Sequence, residues 1–151
     1  MQTLYIITIY LLLRLFFEDW RTRSVNWYLF PSILICSYFI NSKVIESYLP
    51  NVITNLAIVL IQLISIVLYL KFKKYEWRNL TSNYFALGDI LFLLVLSFSF
   101  ETEFFLIFNI CSILLSIIIA RILKLKTIPF AGIQSLLHAF ILVFNFFIRQ
   151  Q

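Results

Sequence analysis

Histidine occurs once in this chain, cysteine twice, glycine twice and proline three times. A single histidine cannot build a typical zinc site, and H-E-x-x-H is absent. Cys36 and Cys111 lie far apart in apolar stretches and form no C-x-x-C pair. No disulfide framework or metal cluster is indicated, and both thiols read as small core residues. Charge is also scarce, at 13% of residues. No internal repeat or low-complexity linker interrupts the chain. The N-terminus carries neither a basic n-region nor a small-residue cleavage site, so it reads as a retained first span and not as a signal peptide.

What remains is apolar. Hydrophobic residues make up 62% of the 151 positions, and the mean hydropathy is +0.97. A soluble domain of this length cannot hide so much apolar surface, so the composition specifies an integral membrane protein. Apolar runs cover residues 1–17, 27–40, 52–70, 80–100, 104–123 and 128–148. They predict an all-α, polytopic bundle of about six transmembrane helices, in one membrane-embedded domain over residues 1–151. The first two runs are shorter than the ~20 residues a perpendicular helix needs. Short connections predict that sequential helices are antiparallel neighbours.

The net charge of +5 then reports orientation, and nucleic acid is a poor partner for it. Arg14, Arg21 and Arg23 sit at the first connection, Lys71, Lys73, Lys74 and Arg78 at the third, and Arg121, Lys124 and Lys126 at the fifth. The other side has only Lys43 and Arg149. This bias predicts cytoplasmic odd connections and both termini outside. Lys71-Phe72-Lys73-Lys74 reads most simply as part of that signal, with a weak attraction for anionic headgroups. Trp27, Trp77 and several tyrosines fall near span ends, as interfacial anchors do. The 17 phenylalanines read as lipid-facing and core residues.

Asp89 stands against this background, in Tyr84-Phe85-Ala86-Leu87-Gly88-Asp89-Ile90-Leu91. An ionised carboxylate inside a membrane helix is costly and marks a functional site by default. Gly88 directly before it permits close approach of another backbone. A span starting near residue 80 puts Asp89 about 13 Å from its cytoplasmic end. Asp19, at the cytoplasmic end of the first span, is its candidate partner. Two carboxylates in close approach share a proton, so one serves as acid and the other as base toward a water and an amide carbonyl. The plainer alternatives are a solvated ion pair of Asp19 with Arg21 and Arg23, and an ion-transport role or a structural basic partner for Asp89. Glu18 offers a second candidate partner, although successive helical residues point in different directions. Ser135 and His138 share a helix face, and a hydrogen-bonded polar pair between helices accounts for them better than a nucleophile pair. Pro129 has the geometry of a helix start.

Three stretches together resemble the type IV prepilin peptidases, polytopic aspartyl proteases with a G-x-G-D motif. Asp19-Trp20-Arg21-Thr22-Arg23-Ser24-Val25-Asn26-Trp27 is similar to the family's aspartate followed by a basic, Pro-Asn-containing turn. Ala86-Leu87-Gly88-Asp89-Ile90 is similar to G-x-G-D-I, and Ile128-Pro129-Phe130-Ala131-Gly132 to I-P-F-G-P. The order and the side of the membrane match as well. Ala86 replaces the motif's first glycine, Leu91 stands where many members have lysine, and no proline precedes Asn26. The family's cysteine-bearing cytoplasmic segment, linked with methyl transfer, has no counterpart.

The resemblance implies an aspartic endopeptidase of the bacterial inner membrane, active at the cytoplasmic face without metal or organic cofactor. Asp19 and Asp89 would be its catalytic pair, with Gly88, Pro129 and Phe130 structural or next to substrate. The implied partners are membrane lipid and a pilin-like precursor with a hydrophobic N-terminal helix. The competing readings are a degenerate member that binds pilin-like helices and a small ion-coupled carrier using Asp89.

Overall fold

A computed structural model describes residues 2–42, 47–72, 87–124 and 128–148. The described chain is all-helical, with no strand among its residues. Six helices follow in order: α1 (Gln2–Thr22), α2 (Leu29–Asn41), α3 (Tyr48–Phe72), α4 (Leu87–Ser97), α5 (Thr102–Ile122) and α6 (Phe130–Ile148). Lys43, Glu46, Lys73, Lys74, Trp77, Arg78, residues 80–86 with the motif position Ala86, Lys126 and Arg149 lie outside the described residues.

The predicted six apolar runs all become helices, but they are not equivalent as spans. Helices α3, α5 and α6 are long and apolar enough to cross a membrane. Helix α2, of 13 residues, rises only about 20 Å and falls short of a ~30 Å hydrocarbon core, while the 11 described residues of α4 rise about 16 Å. Helix α1 has the length, at 21 residues, but its second half carries Arg14, Glu18, Asp19 and Arg21.

The bundle has apolar residues outside and polar residues within. Ile53, Leu60, Ile61, Ile107, Ile110, Phe140 and Phe144 are exposed, whereas Asn55, Asn109, Gln134, Ser135 and His138 are buried. Burying isoleucine offers little between lipid and helix, while a buried polar group can bond a neighbouring helix. This is the surface of a membrane protein. Its apolar core runs through Leu12, Leu15, Leu29, Ile33, Phe92, Leu96 and Phe105.

The packing order departs from sequential neighbours. The most extensive contact joins α1 and α6, while α2 with α3 and α4 with α5 barely touch. The Tyr5 ring lies 6.1 Å from the Phe146 ring at one end, and Asp19 meets Gly132 at the other, so α1 and α6 are antiparallel. Ala131, Gly132 and Ala139 are buried on α6. Small residues let helix backbones come close, and this favours the pairing of first with last helix over chain order.

Cys36 is only partly buried and Cys111 is exposed, so the expectation of two core thiols fails. Cys111 is on the outer, lipid-like surface of α5, where a small thiol needs no cavity.

Candidate functional site

Helix α6 begins in an unusual way. The carbonyl of Pro129 accepts the first intrahelical bond, from the N–H of Ile133 at 3.0 Å, so Pro129 is the capping residue. At most soluble helix starts a serine, threonine, aspartate or asparagine side chain in that position takes up an orphan amide. Proline has no such oxygen. The two amides that need an acceptor are those of Ala131 and Gly132, the second and third helical residues.

Two carboxylates from distant parts of the chain fill this need. The N–H of Ala131 donates to Asp89 Oδ1 at 3.0 Å, and the N–H of Gly132 donates to Asp19 Oδ2 at 2.7 Å. Consecutive amide nitrogens are joined by three backbone bonds, so the two carboxylates are anchored at neighbouring points of the same helix start. The structure thus brings together the two aspartates singled out in the sequence, on one end of one helix. Both are buried, at 7% and 9% exposure. The positive end of the α6 dipole favours negative charge there.

Asp19 does not form the solvated ion pair with Arg21 and Arg23 that its position suggests. That surface role falls to Glu18, which accepts from Arg14 Nε at 3.0 Å and from the backbone N–H and Nδ2 of Asn26 at 3.1 and 3.0 Å. Arg14 Nη2 also donates to the Tyr28 hydroxyl at 2.7 Å, which ties α1 to the capping residue that begins α2. The neighbouring acids are driven in opposite directions. Both follow the apolar run of α1. Burial pushes the Asp19 carboxyl above its usual range, against the Gly132 N–H and the charge of Arg23, which pull it down. Partial burial raises Glu18 too, but the bonds from Asn26 and Arg14 outweigh it and hold the carboxyl below its usual range. Glu18 therefore faces away from the site as an ion-paired latch.

The chain leaves α1 at Arg23 with φ 55, in the left-handed region that side chains other than glycine seldom enter. Arg23 Nη1 is buried with no hydrogen-bond partner. The guanidinium contributes positive charge to the surroundings of Asp19.

The glycines exchange the roles the sequence suggests. A methyl group added at Gly88 would meet only the tip of the Phe30 ring, at 3.6 Å, an ordinary contact. One added at Gly132 would lie 2.9 Å from Asp19 Oδ2 and 3.2 Å from Asp19 Cβ. The close approach that admits the carboxylate is made at Gly132, not at Gly88. Pro129 is buried and Phe130 partly buried at the same helix start.

Ser135 and His138 do not form a pair. Ser135 Oγ donates to the carbonyl of Gly132 at 2.7 Å, within its own helix. The His138 ring packs 4.8 Å from that of Phe100, and its Nδ1 has no hydrogen-bond partner. Both the nucleophile pair and the interhelical polar pair are thereby corrected: three residues of separation aligned the two side chains, and each found a nearer neighbour.

Sequence reasoning also missed the amides of Ala131 and Gly132. The available signal was a proline at a helix start followed by a glycine three residues on, with no local side-chain oxygen to cap the helix. Among the described residues no cluster of acidic, cysteine or histidine side chains could hold a metal ion. Comparison with protein-family models, curated proteins and solved structures finds no match to this chain.

Proposed function

We propose that this chain is a membrane aspartic endopeptidase, with Asp19 and Asp89 as its catalytic pair, that removes the leader of prepilin-like precursors at the cytoplasmic face. The observation that supports this reading is the seating of both carboxylates on consecutive amides of α6. Two buried acids held on neighbouring amides favour one proton between them. The ionised carboxylate takes a proton from water as the water oxygen adds to the scissile carbonyl carbon. The protonated one donates a hydrogen bond to the carbonyl oxygen. The leaving nitrogen then receives a proton as the C–N bond breaks, which restores one proton to the pair. No cofactor enters this scheme. The basic bias of the odd connections supports an inner-membrane, multi-pass placement with both termini outside and the site toward the cytoplasm. A precursor whose hydrophobic helix lies in the same bilayer brings its cleavage point to that end of the bundle.

Helix capping alone is the competing account of the two bonds, and asparagine separates them. Asp→Asn keeps an acceptor oxygen for the amide but removes the titrating group. Asp19→Asn and Asp89→Asn should each abolish cleavage of a co-expressed prepilin-like precursor at unchanged membrane insertion. The double variant should be no worse, because the pair acts as a unit. Glu18→Gln should still cleave. Full cleavage by Asp89→Asn would sink the protease reading.

A second reading, a small ion-coupled carrier using Asp89, draws support from the polar side chains buried along α6 below the site. Ion-dependent uptake that is lost in Asp89→Asn, with no precursor cut by the wild type, would favour it.

A further inference from the structure

Beyond the carboxylates, the interior holds a set of polar groups whose unpaired atoms the protease reading leaves without a role. They join three helices. Asn109 Nδ2 on α5 donates to Gln62 Oε1 on α3 at 3.0 Å. Gln134 Nε2 on α6 donates to Ser112 Oγ on α5 at 2.9 Å, and Ser112 Oγ donates to the Asn109 carbonyl at 2.9 Å. These bonds use the donor ends of both amides. The acceptor ends, Asn109 Oδ1 and Gln134 Oε1, are buried without a partner, as are His138 Nδ1 and Asn55 Oδ1. All four residues are at most 1% exposed.

Turning an amide over does not repair this. It leaves an N–H unpaired where an oxygen was, since Asn109 and Gln134 each have only one fixed neighbour for their two ends, and the two neighbours of Asn55 are both carbonyls that need its N–H. Nor does the surface supply partners, because its outward face is apolar and no lipid tail can donate a hydrogen bond. The unpaired atoms are also grouped. Ser112 stands beside Gln134, and the Phe108 ring lies 6.5 Å from His138, so Asn109 falls between these levels on the antiparallel helix. Along α6, His138 and Gln134 are one turn apart, about 6 Å, and Gln134 is about 3 Å beyond Gly132. Asn55 Nδ2 donates to the Phe100 carbonyl at 2.9 Å, and the Phe100 ring contacts His138, which extends the group toward the other end of the bundle.

We propose that the bundle binds a short file of water molecules between α3, α5 and α6, held by Asn109 Oδ1 and Gln134 Oε1 and continued at His138 Nδ1 and Asn55 Oδ1. Water fits because the unpaired atoms are mostly acceptors, the groups carry no formal negative charge to hold a cation, and each water supplies two donors. The file ends about one helical turn from the carboxylates, inside a bundle whose outer face repels water. It rests on neither the protease nor the carrier reading.

The test is water-to-side-chain cross-relaxation by NMR on the full-length, 15N-labelled protein in lipid nanodiscs. Rotating-frame peaks from water to the Asn109 and Gln134 side-chain amides are expected, with the sign of dipolar contact and not of proton exchange. The methyls of the buried residues Leu12 and Leu15 should show none. Gln134→Met, close in volume and without an acceptor oxygen, should weaken the Asn109 peak several-fold. Resolved amide signals with no water peak in the wild type would overturn the proposal, whatever the fate of the variant. So would an unchanged Asn109 peak in folded Gln134→Met. A cleavage assay on the same preparation keeps the two questions apart: a hydrated, inactive protein disproves only the protease, and a dry, active one only the file.

Discussion

Gly88 and Gly132 are the two glycines of the chain, and they meet different surroundings. At Gly88 the nearest atom to an added methyl group is the Phe30 ring tip, at 3.6 Å. At Gly132 it is the carboxylate that the residue's own amide binds, at 2.9 Å, with Asp19 Cβ close behind. Gly132→Ala therefore has to displace Asp19 or the start of α6. A loss of about 1–3 kcal/mol is expected, as for overpacking in a close-packed core. Cleavage should fall with it, since the displaced carboxylate no longer sits beside Asp89. Gly88→Ala should be neutral or stabilise by up to about 1 kcal/mol, because alanine is the better helix former and has room. Thermal unfolding of the purified variants, followed by helicity, checks both. Equal destabilisation by the two changes would show that Gly88 is as confined as the motif suggests. The motif draws the eye to Gly88 because it stands next to the acid. Which glycine admits the acid depends on α1 and α6 meeting, a contact between chain ends that no local pattern reports.

Helix α4 is the shortest element, 11 residues in its described extent, and it is fastened at both ends by other helices. At its start Asp89 reaches the amide of Ala131. At its end, Asn55 Nδ2 donates to the carbonyls of Ser97 and Phe100 at 3.2 and 2.9 Å. Asn41 Nδ2 donates to those of Ser99 and Phe98 at 3.0 and 3.3 Å, and the Tyr48 hydroxyl to that of Phe98 at 3.1 Å. A helix end inside lipid leaves its last carbonyls without water, so partners of this kind are required. Asn55→Leu removes one donor from two buried carbonyls and should destabilise by about 1–3 kcal/mol. Ser65→Ala should change stability little, since Ser65 Oγ is exposed and bonds only the Ile61 carbonyl of its own helix. Denaturation of the two variants side by side would test this, and equal stability would mean that the α4 end finds other donors. The helices themselves were legible, because apolar runs in a membrane protein leave little choice but helix. The early end of α4 was not, since its Ser97-Phe98-Ser99-Phe100 sequence has no glycine or proline to mark a stop. Three side chains from α2 and α3 make that ending possible, and they are remote in sequence.

For the whole molecule, the antiparallel run of α1 against α6 places the end of α1 and the starts of α4 and α6 at one end of the bundle. Opposite it lie the fastened carbonyls of α4. The pairing of Asp19 with Asp89 was legible in outline from depth and charge, because both reasons act on the whole chain at once. Its means, two amides of a proline-led helix, was not, since backbone donors have no signature in side-chain identity. Which end faces the cytoplasm is a question of charge. Arg14, Arg21, Arg23, Lys71, Arg121 and Lys124 are described basic residues that fall toward the carboxylate end, while Glu101 and Glu103 fall at the opposite one. Helix α5, with 21 residues, rises about 31 Å, enough for its two ends to emerge on different sides. Single cysteines introduced as Glu103→Cys and Lys124→Cys, with Cys36 and Cys111 replaced by alanine, turn this into a measurement. A membrane-impermeant maleimide on intact cells should label position 103 at once and position 124 only after the membrane is opened. Positive charge near a membrane end is held on the cytoplasmic side, so the reverse pattern would put the carboxylates outside, away from any precursor leader that has not been exported. Labelling of both positions in intact cells would mean that α5 does not cross, and the placement of Asp19 and Asp89 on one side of a bilayer would then lose its support.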